Sequence, residues 1–241
     1  MKQENNHFWI GGKNTVLEVI KHNPNRIKQI LYSQDLKIDR NNYKKIKFTR
    51  SNNHEFEIIF KDSSFVHQGI AAQIKKTEYQ NDKGIQNLTD NQNIVIIDNI
   101  SDPRNLGSII RTCVAFGVKI LILEKGVNID SHYLYKSASG ATEHINFIKV
   151  SNINNAIRLL KKNNFFIYSS NLKSKKFLEE INFSENNCII LGSESKGVRQ
   201  LVLKNSDETF KIAQTKNIDS LNVSNSAAII LNHLFQKKRA R

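Results

Sequence analysis

The fold is decided by a stretch in the middle of the chain, NIVIIDNISDPRNLGSIIRTCVAFGVKILIL at residues 93–123. Two apolar runs of strand length, NIVIID at 93–98 and KILIL at 119–123, flank a segment whose apolar spacing predicts a helix over Leu106–Phe116. A strand, a helix and a second strand in this order form a βαβ unit, in which the two strands are parallel. The stretch therefore predicts an α/β fold.

The same alternation continues towards the end of the chain. Further strands are predicted at FFIYSS (165–170) and CIILG (188–192), and further helices near Ile153–Lys161 and over Asn222–Gln236. Strands that alternate with helices build a mostly parallel sheet that is covered on both faces. Residues 93–241 are therefore expected to form one α/β domain.

The preceding residues predict a smaller α/β domain. Apolar side chains within residues 11–21 suit a helix that packs on one side, and Asn14 is a candidate cap for it. Short strand-like segments follow at Ile27–Tyr32, Ile46–Thr49 and Gly69–Lys75. We assign residues 1–76 to this N-terminal domain and residues 77–92, which are polar and show no clear periodicity, to a linker.

Composition and charge restrict the function. The 241 residues include 36 Lys and Arg against 22 Asp and Glu, a formal net charge of +14, and 39% are hydrophobic. This composition excludes a chain that is disordered throughout, and the charge favours a polyanionic partner such as nucleic acid, although an AT-rich genome would also enrich lysine. No apolar run approaches the roughly 20 residues of a membrane-spanning helix and no secretory signal is present, so we expect a cytosolic protein. Cys113 and Cys188 stand apart in apolar surroundings and predict two reduced, buried thiols.

Three loops rich in polar residues follow predicted strands. They are DNISDPRNLGSIIRTC at 98–113, IILGSESKGVRQL at 189–201 and FKIAQTKNIDSLNVSNSAAIIL at 210–231. Open α/β sheets bind ligands outside the carboxyl ends of their strands, so the three loops are candidates for one site. Taken singly, these loops can also be purely structural. Asn105 and Asn222 can simply cap helices, and Arg111 can be a surface charge.

Taken together, the three loops resemble the motifs of the SpoU/TrmH (SPOUT) family of S-adenosylmethionine-dependent RNA ribose methyltransferases. DPRNLGSIIRT matches the first motif, ILGSESKGV the second and DSLNVSNSAAI the third, and KSASGATEHI at 136–145 resembles a further stretch of the family. WIGGKNTVLEVI and HQGIAA resemble the start and end of the family's ribosomal-protein-L30-like substrate-binding domain. The resemblance covers about residues 8–236.

The resemblance implies a fold, a cofactor and a partner. It implies an α/β catalytic domain with a deep trefoil knot near its C-terminus, an L30-like N-terminal domain, S-adenosylmethionine as methyl donor, and a homodimer with the active site close to the interface. The two-domain arrangement is most similar to members that methylate the 2′-oxygen of a guanosine in 23S rRNA. Two alternatives stay open: the same chemistry at another rRNA or tRNA nucleotide, and a non-catalytic RNA-binding protein that retains the fold.

The resemblance also assigns site residues by position. Residues expected to contact S-adenosylmethionine through backbone groups and apolar packing are Gly192, Ile212 and Leu221. The expected polar active-site set is Asn105, Arg111, Glu194, Ser220 and Asn222. The chain departs from the family pattern at Ala213, where proline is usual, and at Asn225, where a small apolar residue is usual. Neither change removes a functional group, but both could loosen the cofactor loop.

The chemistry implied for Arg111 has two versions. The family mechanism makes this arginine the base, yet a guanidinium normally stays protonated, with a pKa above about 12. Arg111 can instead hold a neighbouring phosphate or stabilise the developing alkoxide. A sulfonium methyl group is already electrophilic, so no metal is required, and the seven scattered histidines form no HxxxH pair or His/Cys cluster. The motifs GxxxxGK[ST] and GxGxxG of nucleotide hydrolases and dehydrogenases are absent.

Overall fold

The computed structural model describes residues 6–34, 38–193, 196–215 and 217–239. In chain order the strands and helices are β1 (His7–Gly11), α1 (Lys13–His22), β2 (Ile27–Tyr32), β3 (Lys47–Arg50), α2 (Asn53–Phe60), β4 (Ile70–Lys75), α3 (Lys83–Gln86), β5 (Asn93–Asp98), α4 (Pro103–Ala115), β6 (Ile120–Glu124), α5 (His132–Ala138), β7 (Asn146–Val150), α6 (Ile153–Lys162), β8 (Phe166–Ser170), β9 (Asn187–Gly192), α7 (Gln200–Asn205), β10 (Glu208–Phe210) and α8 (Val223–Arg239). These elements form two compact units. The first runs to Thr77 and also includes Asn128–His144, and the second contains Glu78–Val127 and the residues from Ile145 onward.

The first unit contains a four-stranded sheet in the order β1-β4-β2-β3. β4 pairs antiparallel with both β1 and β2, whereas β2 and β3 are parallel. Helix α1 turns its apolar face to the core, where Val16, Val19 and Ile20 are buried. On α2, Phe56 and Phe60 are buried in a cluster with Phe65. The predicted small α/β arrangement is therefore present in this unit.

The segment 128–144, which comes from the middle of the chain, packs within the first unit. The Thr15 hydroxyl donates to the Tyr135 carbonyl oxygen at 3.2 Å, and the Thr77 amide donates to Asp130 at 2.9 Å. Arg26 forms an ion pair of 2.9 Å with Glu143, whose side chain is fully buried. Since α5 lies in this segment, the first unit is built from two separated parts of the sequence.

The second unit contains a six-stranded sheet in the order β10-β8-β9-β5-β6-β7. Every neighbouring pair in it is parallel. The central strands β5, β6 and β9 are buried almost throughout, as expected when both faces of a parallel sheet are covered. From β5 the chain first builds outward through β6 and β7, and then returns to place β9 on the other side of β5. Strand order reverses at β5, and such a reversal opens a crevice at the carboxyl ends of the strands.

Several local predictions were wrong. Residues 77–92 do not form a structureless linker, because they contain α3 and a bridge that joins Gln80 to Ile148, and Ile85 is fully buried in the second unit. Asn14 does not cap α1, since it lies inside the helix and Gly12 occupies the capping position without a side-chain bond. Helix α4 begins three residues earlier than expected, at Pro103.

Both cysteines are free and buried, as predicted, and burial raises the pKa of each thiol. Among the described residues, no helix has the length and apolar character needed to cross a membrane. The trefoil knot implied by the family resemblance stays a prediction.

Candidate active site

A cavity of about 350 Å³ lies at the carboxyl ends of β8, β9 and β10 in the second unit. Its volume falls within the range of small-ligand sites, about 300–1,000 Å³. Four of the residues assigned from the sequence line it: Gly192, Ile212, Ser220 and Leu221. Gly192 comes from the second motif, Ile212 follows β10, and Ser220 and Leu221 come from the third motif, so the fold brings separate motifs to one cavity.

Gly192 ends β9 at a point of very close backbone approach. A Cβ atom at this position would lie 2.2 Å from the carbonyl carbon of Gly197 and from the amide nitrogen of Val198. Only a glycine fits here without displacing the loop that borders the cavity. The loop also closes on itself, because the Gly197 amide donates to the Ser193 carbonyl oxygen at 2.8 Å.

The far end of this loop is held by a buried carboxylate. Asp98, the last residue of β5, is fully buried and accepts hydrogen bonds from the Arg199 backbone amide at 2.8 Å and from Arg199 Nε at 2.5 Å. A terminal guanidinium nitrogen of Arg199 lies 2.9 Å from Glu124. Burial lowers the pKa of Arg199, but hydrogen bonding to Glu124 and the charges of Asp98 and Glu124 outweigh it and leave this pKa above its ordinary value. Asp98 thus fixes the position of the loop relative to the sheet.

Asn105 and Asn222 lie together, next to the cavity. The side-chain nitrogen Nδ2 of Asn222 donates to Asn105 Oδ1 at 3.1 Å. In the sequence, Asn222 lies between Leu221 and Val223, which both line the cavity. Asn222 also caps α8, because its Oδ1 accepts from the Ser224 amide at 2.8 Å. Asn105 is not the cap of α4.

That cap is Asp102, whose Oδ1 accepts from the amides of Arg104 and Asn105 at 2.8 Å each. Proline at the first helical position adds to this start signal. The side chain of Asn105 is therefore available for its contact with Asn222.

The two remaining polar residues of the expected active-site set are Arg111 and Glu194. Arg111 is exposed on α4, six residues after Asn105, and is not among the described residues that line the cavity. Glu194 lies outside the described residues, although its described neighbours Ser193 and Lys196 both line the cavity.

Two parts of the site were missed from the sequence. Asp98 was predicted only as the end of a strand, because aspartates are mostly exposed and its partner Arg199 is 101 residues away in the sequence. The loop after β8 also lines the cavity through Ser170, Asn171 and Lys173. The polar sequence SSNLK after the strand FFIY was the available signal for this fourth loop.

Two family models match the chain, one for each predicted domain. Residues 92–232 match the SpoU rRNA Methylase family, and residues 9–80 match the model for RNA 2'-O ribose methyltransferase substrate binding. Together they cover most of the chain.

Curated proteins of similar sequence carry related descriptions. An uncharacterized tRNA/rRNA methyltransferase of Borreliella burgdorferi is 34% identical over 206 residues, which are 80% of this chain and 88% of that protein. The 23S rRNA (guanosine-2'-O-)-methyltransferase RlmB of Blochmanniella floridana is 30% identical over 234 residues, 91% of each chain.

Solved structures share the fold along nearly the whole chain. The SpoU methyltransferase AviRb from Streptomyces viridochromogenes, solved in complex with AdoMet, aligns with a TM-score of 0.82 at 15% identity, covering 98% of this chain and 91% of that one. An AdoMet-bound rRNA methyltransferase from Sinorhizobium meliloti aligns with a TM-score of 0.80 at 20% identity, covering 99% and 89%. With the matched family model spanning residues 92–232 and the motif residues gathered at one cavity, the chain belongs to the SpoU rRNA methylase family and is an S-adenosylmethionine-dependent RNA methyltransferase.

Proposed function

We propose that this protein transfers a methyl group from S-adenosylmethionine to the 2′-oxygen of a guanosine ribose in 23S rRNA. The observation that carries the proposal is the cavity at the carboxyl ends of the strands, where Gly192, Ile212, Ser220 and Leu221 meet. The similarity to RlmB of Blochmanniella floridana, at 30% identity over 91% of both chains, supports the choice of rRNA and of guanosine.

The residues at the cavity fit S-adenosylmethionine. Ile212 and Leu221 are half-buried and offer apolar surface for an adenine ring, while Ser193 and Gln214 offer polar groups. The glycine at 192 leaves no room for a side chain between β9 and the loop, so backbone atoms themselves border the space. The bound cofactor would supply an electrophilic methyl group on a sulfonium.

The chain's own residues would orient the ribose and manage one proton. Transfer to the 2′-oxygen forms a carbon–oxygen bond, breaks the carbon–sulfur bond and requires the hydroxyl proton to leave. Asn105 and Asn222 hold each other in place beside the cavity, which suits them to position the substrate. We propose that Arg111 either removes the proton in a deprotonated form or, as a permanent cation, holds a neighbouring phosphate or stabilises the alkoxide while the proton passes to solvent water. Glu194 and Ser220 complete the proposed polar set.

RNA is the proposed macromolecular partner, and a second copy of the chain is the proposed subunit. A formal charge of +14 suits a polyanion because each neutralised phosphate releases a condensed counterion. Arg111 stands outside the cavity of its own chain, and a site close to a homodimer interface would reconcile that position with a role in transfer. In this proposal the first unit contacts the RNA substrate.

Arg111→Ala tests the proposed division between binding and transfer. We expect the variant to bind S-adenosylmethionine with wild-type affinity in calorimetric titration and to lose methyl transfer to RNA extracted from cells that lack the gene. Arg158→Ala, which removes an exposed arginine from α6, is the matched control and should transfer normally. Normal turnover by Arg111→Ala would contradict both proposed roles of this residue. A wild-type chain that transfers no methyl group to this RNA would contradict the proposed substrate.

A further inference from the structure

Two histidines and a glutamate converge in the first unit. Glu18 and His22 are four residues apart on α1 and therefore share one face of the helix. His144 ends the short turn Ala141–His144, more than 120 residues later in the sequence. We propose that Glu18, His22 and His144 form a binding site for a divalent transition-metal ion, with Zn²⁺ as the best fit.

The distances between the donor atoms suit a small ion. Nε2 of His22 and Nε2 of His144 each lie 3.1 Å from the same oxygen, Oε2 of Glu18. Two ligands bound tetrahedrally to Zn²⁺ at about 2.0–2.1 Å are about 3.3 Å apart. All three donor atoms lie within 4.8 Å of one another, so rotation of the imidazole rings could bring both nitrogens and the Glu18 oxygen to a single ion.

The backbone that carries His144 is held against α1. Gly140 lies so close to Glu18 that a Cβ atom there would approach Glu18 Cβ and Cγ to 2.5 Å. The neighbouring Glu143 accepts hydrogen bonds from Asn23 at 2.7 Å and from Arg26 at 2.9 Å. These contacts place His144 opposite α1 before any ion binds, which lowers the entropy cost of forming the site.

The donor set selects the class of ion. Two imidazole nitrogens are borderline donors that suit Zn²⁺ and its transition-metal neighbours, and Zn²⁺ also accepts a carboxylate oxygen, whereas Ca²⁺ and Mg²⁺ prefer oxygen-only sites. The three side chains are 33%, 35% and 37% exposed, so an ion can enter and water can occupy a remaining position. Lys21 lies next to the cluster and its charge opposes a cation, so we expect moderate affinity.

A bound ion would join α1 to the turn at 141–144. Because these elements come from distant parts of the sequence, the ion would stabilise the first unit by the free energy of its binding. The site lies in the unit that does not contain the cavity. It also departs from the sequence prediction of no metal, since the pairing of His144 with α1 is visible only in the folded chain.

Calorimetric titration with ZnCl₂ tests the site on the untagged full chain after removal of metals by a chelator. We expect one saturable Zn²⁺ per chain and a rise in Tm on Zn²⁺ addition. His144→Gln keeps a group that can hydrogen-bond to Glu18 but removes the imidazole, and should weaken Zn²⁺ binding at least about tenfold and abolish the rise in Tm. His54→Gln, at an exposed histidine of α2, is the matched control and should bind as the wild type does.

Cobalt substitution gives a second readout that does not depend on the variants. Co²⁺ in the wild-type chain should show the intense visible absorption of a four- or five-coordinate site, and an equivalent of Zn²⁺ should remove it. Absence of saturable Zn²⁺ binding would overturn the proposal and leave a hydrogen-bonded His–Glu–His group. Equal Zn²⁺ affinity in His144→Gln and the wild type would also overturn it, as would only the weak spectrum of hydrated Co²⁺.

Discussion

Gly192→Ala is expected to weaken S-adenosylmethionine binding by forcing the loop after β9 out of place. The new methyl group would lie 2.2 Å from Gly197 and Val198 backbone atoms, whereas ordinary van der Waals contact begins at 3.4 Å. The loop must therefore retreat by about 1.2 Å. Such a shift is incompatible with the 2.8 Å bond between the Gly197 amide and the Ser193 carbonyl oxygen, which would be stretched beyond hydrogen-bonding range.

The size of the effect follows from this overlap. Overpacking of this kind costs about 1–3 kcal/mol, and the cost falls on binding because the unliganded loop can relax while the bound loop must return to the cavity. At about 1.4 kcal/mol per tenfold change in Kd, we expect affinity to fall about 5- to 150-fold. Calorimetric titration of the folded variant with S-adenosylmethionine measures this directly.

Gly117→Ala is the matched control for this experiment. Gly117 has a positive φ, +74°, and no atom lies within 4 Å of a Cβ built there. This variant should lose some stability through backbone strain and keep its cofactor affinity. Wild-type affinity in Gly192→Ala, or an equal loss in Gly117→Ala, would refute the reasoning that close backbone approach at β9 shapes the cofactor site.

Two further predictions concern the free energy of unfolding, one for a residue of each unit. Asp98→Asn keeps the shape of the side chain but removes the charge that pairs with Arg199. The free energy of unfolding, measured in urea, should therefore fall by about 1–3 kcal/mol. A decrease below about 0.5 kcal/mol would show that Asp98 does not anchor the loop after β9. In the first unit, burial and the charge of Lys136 lower the pKa of His67 despite the opposing charge of Glu57. The protonated imidazole is therefore disfavoured in the folded chain. The free energy of unfolding should decline as pH falls from about 6.5 towards the lowered pKa of His67. His67→Asn cannot be protonated and should reduce this decline, whereas an NMR titration placing the pKa of His67 at or above 6.5 would contradict the prediction.

Much of the second unit could be predicted because its strands are continuous apolar runs. NIVIID and CIILG became the buried neighbours β5 and β9, paired in parallel with Asp98 opposite Gly192. Residues at the ends of neighbouring parallel strands must meet at one edge of the sheet. For that reason the motifs that end or follow β9 and β10 could be assigned to one site before the cavity was known.

The missed elements are those whose signal is short or non-local. Helix α3 is a single turn whose only buried side chain is Ile85, so no periodicity was available to find it. The packing of Asn128–His144 in the first unit depends on contacts such as Arg26 with Glu143, which join residues 117 positions apart. No pattern in a local window reports such a contact.

Locating the transferred methyl group on the RNA tests the proposed function most directly. The purified chain would be incubated with S-adenosylmethionine labelled on its methyl group and RNA from cells that lack the gene, and 23S rRNA, 16S rRNA and tRNA would then be separated and digested with alkali. Alkaline cleavage needs a free 2′-hydroxyl, so a 2′-O-methyl group protects the adjacent phosphodiester. We predict label in 23S rRNA, within an alkali-resistant dinucleotide that begins with guanosine. Label in alkali-sensitive mononucleotides, or no transfer to any of these RNAs, would contradict the account.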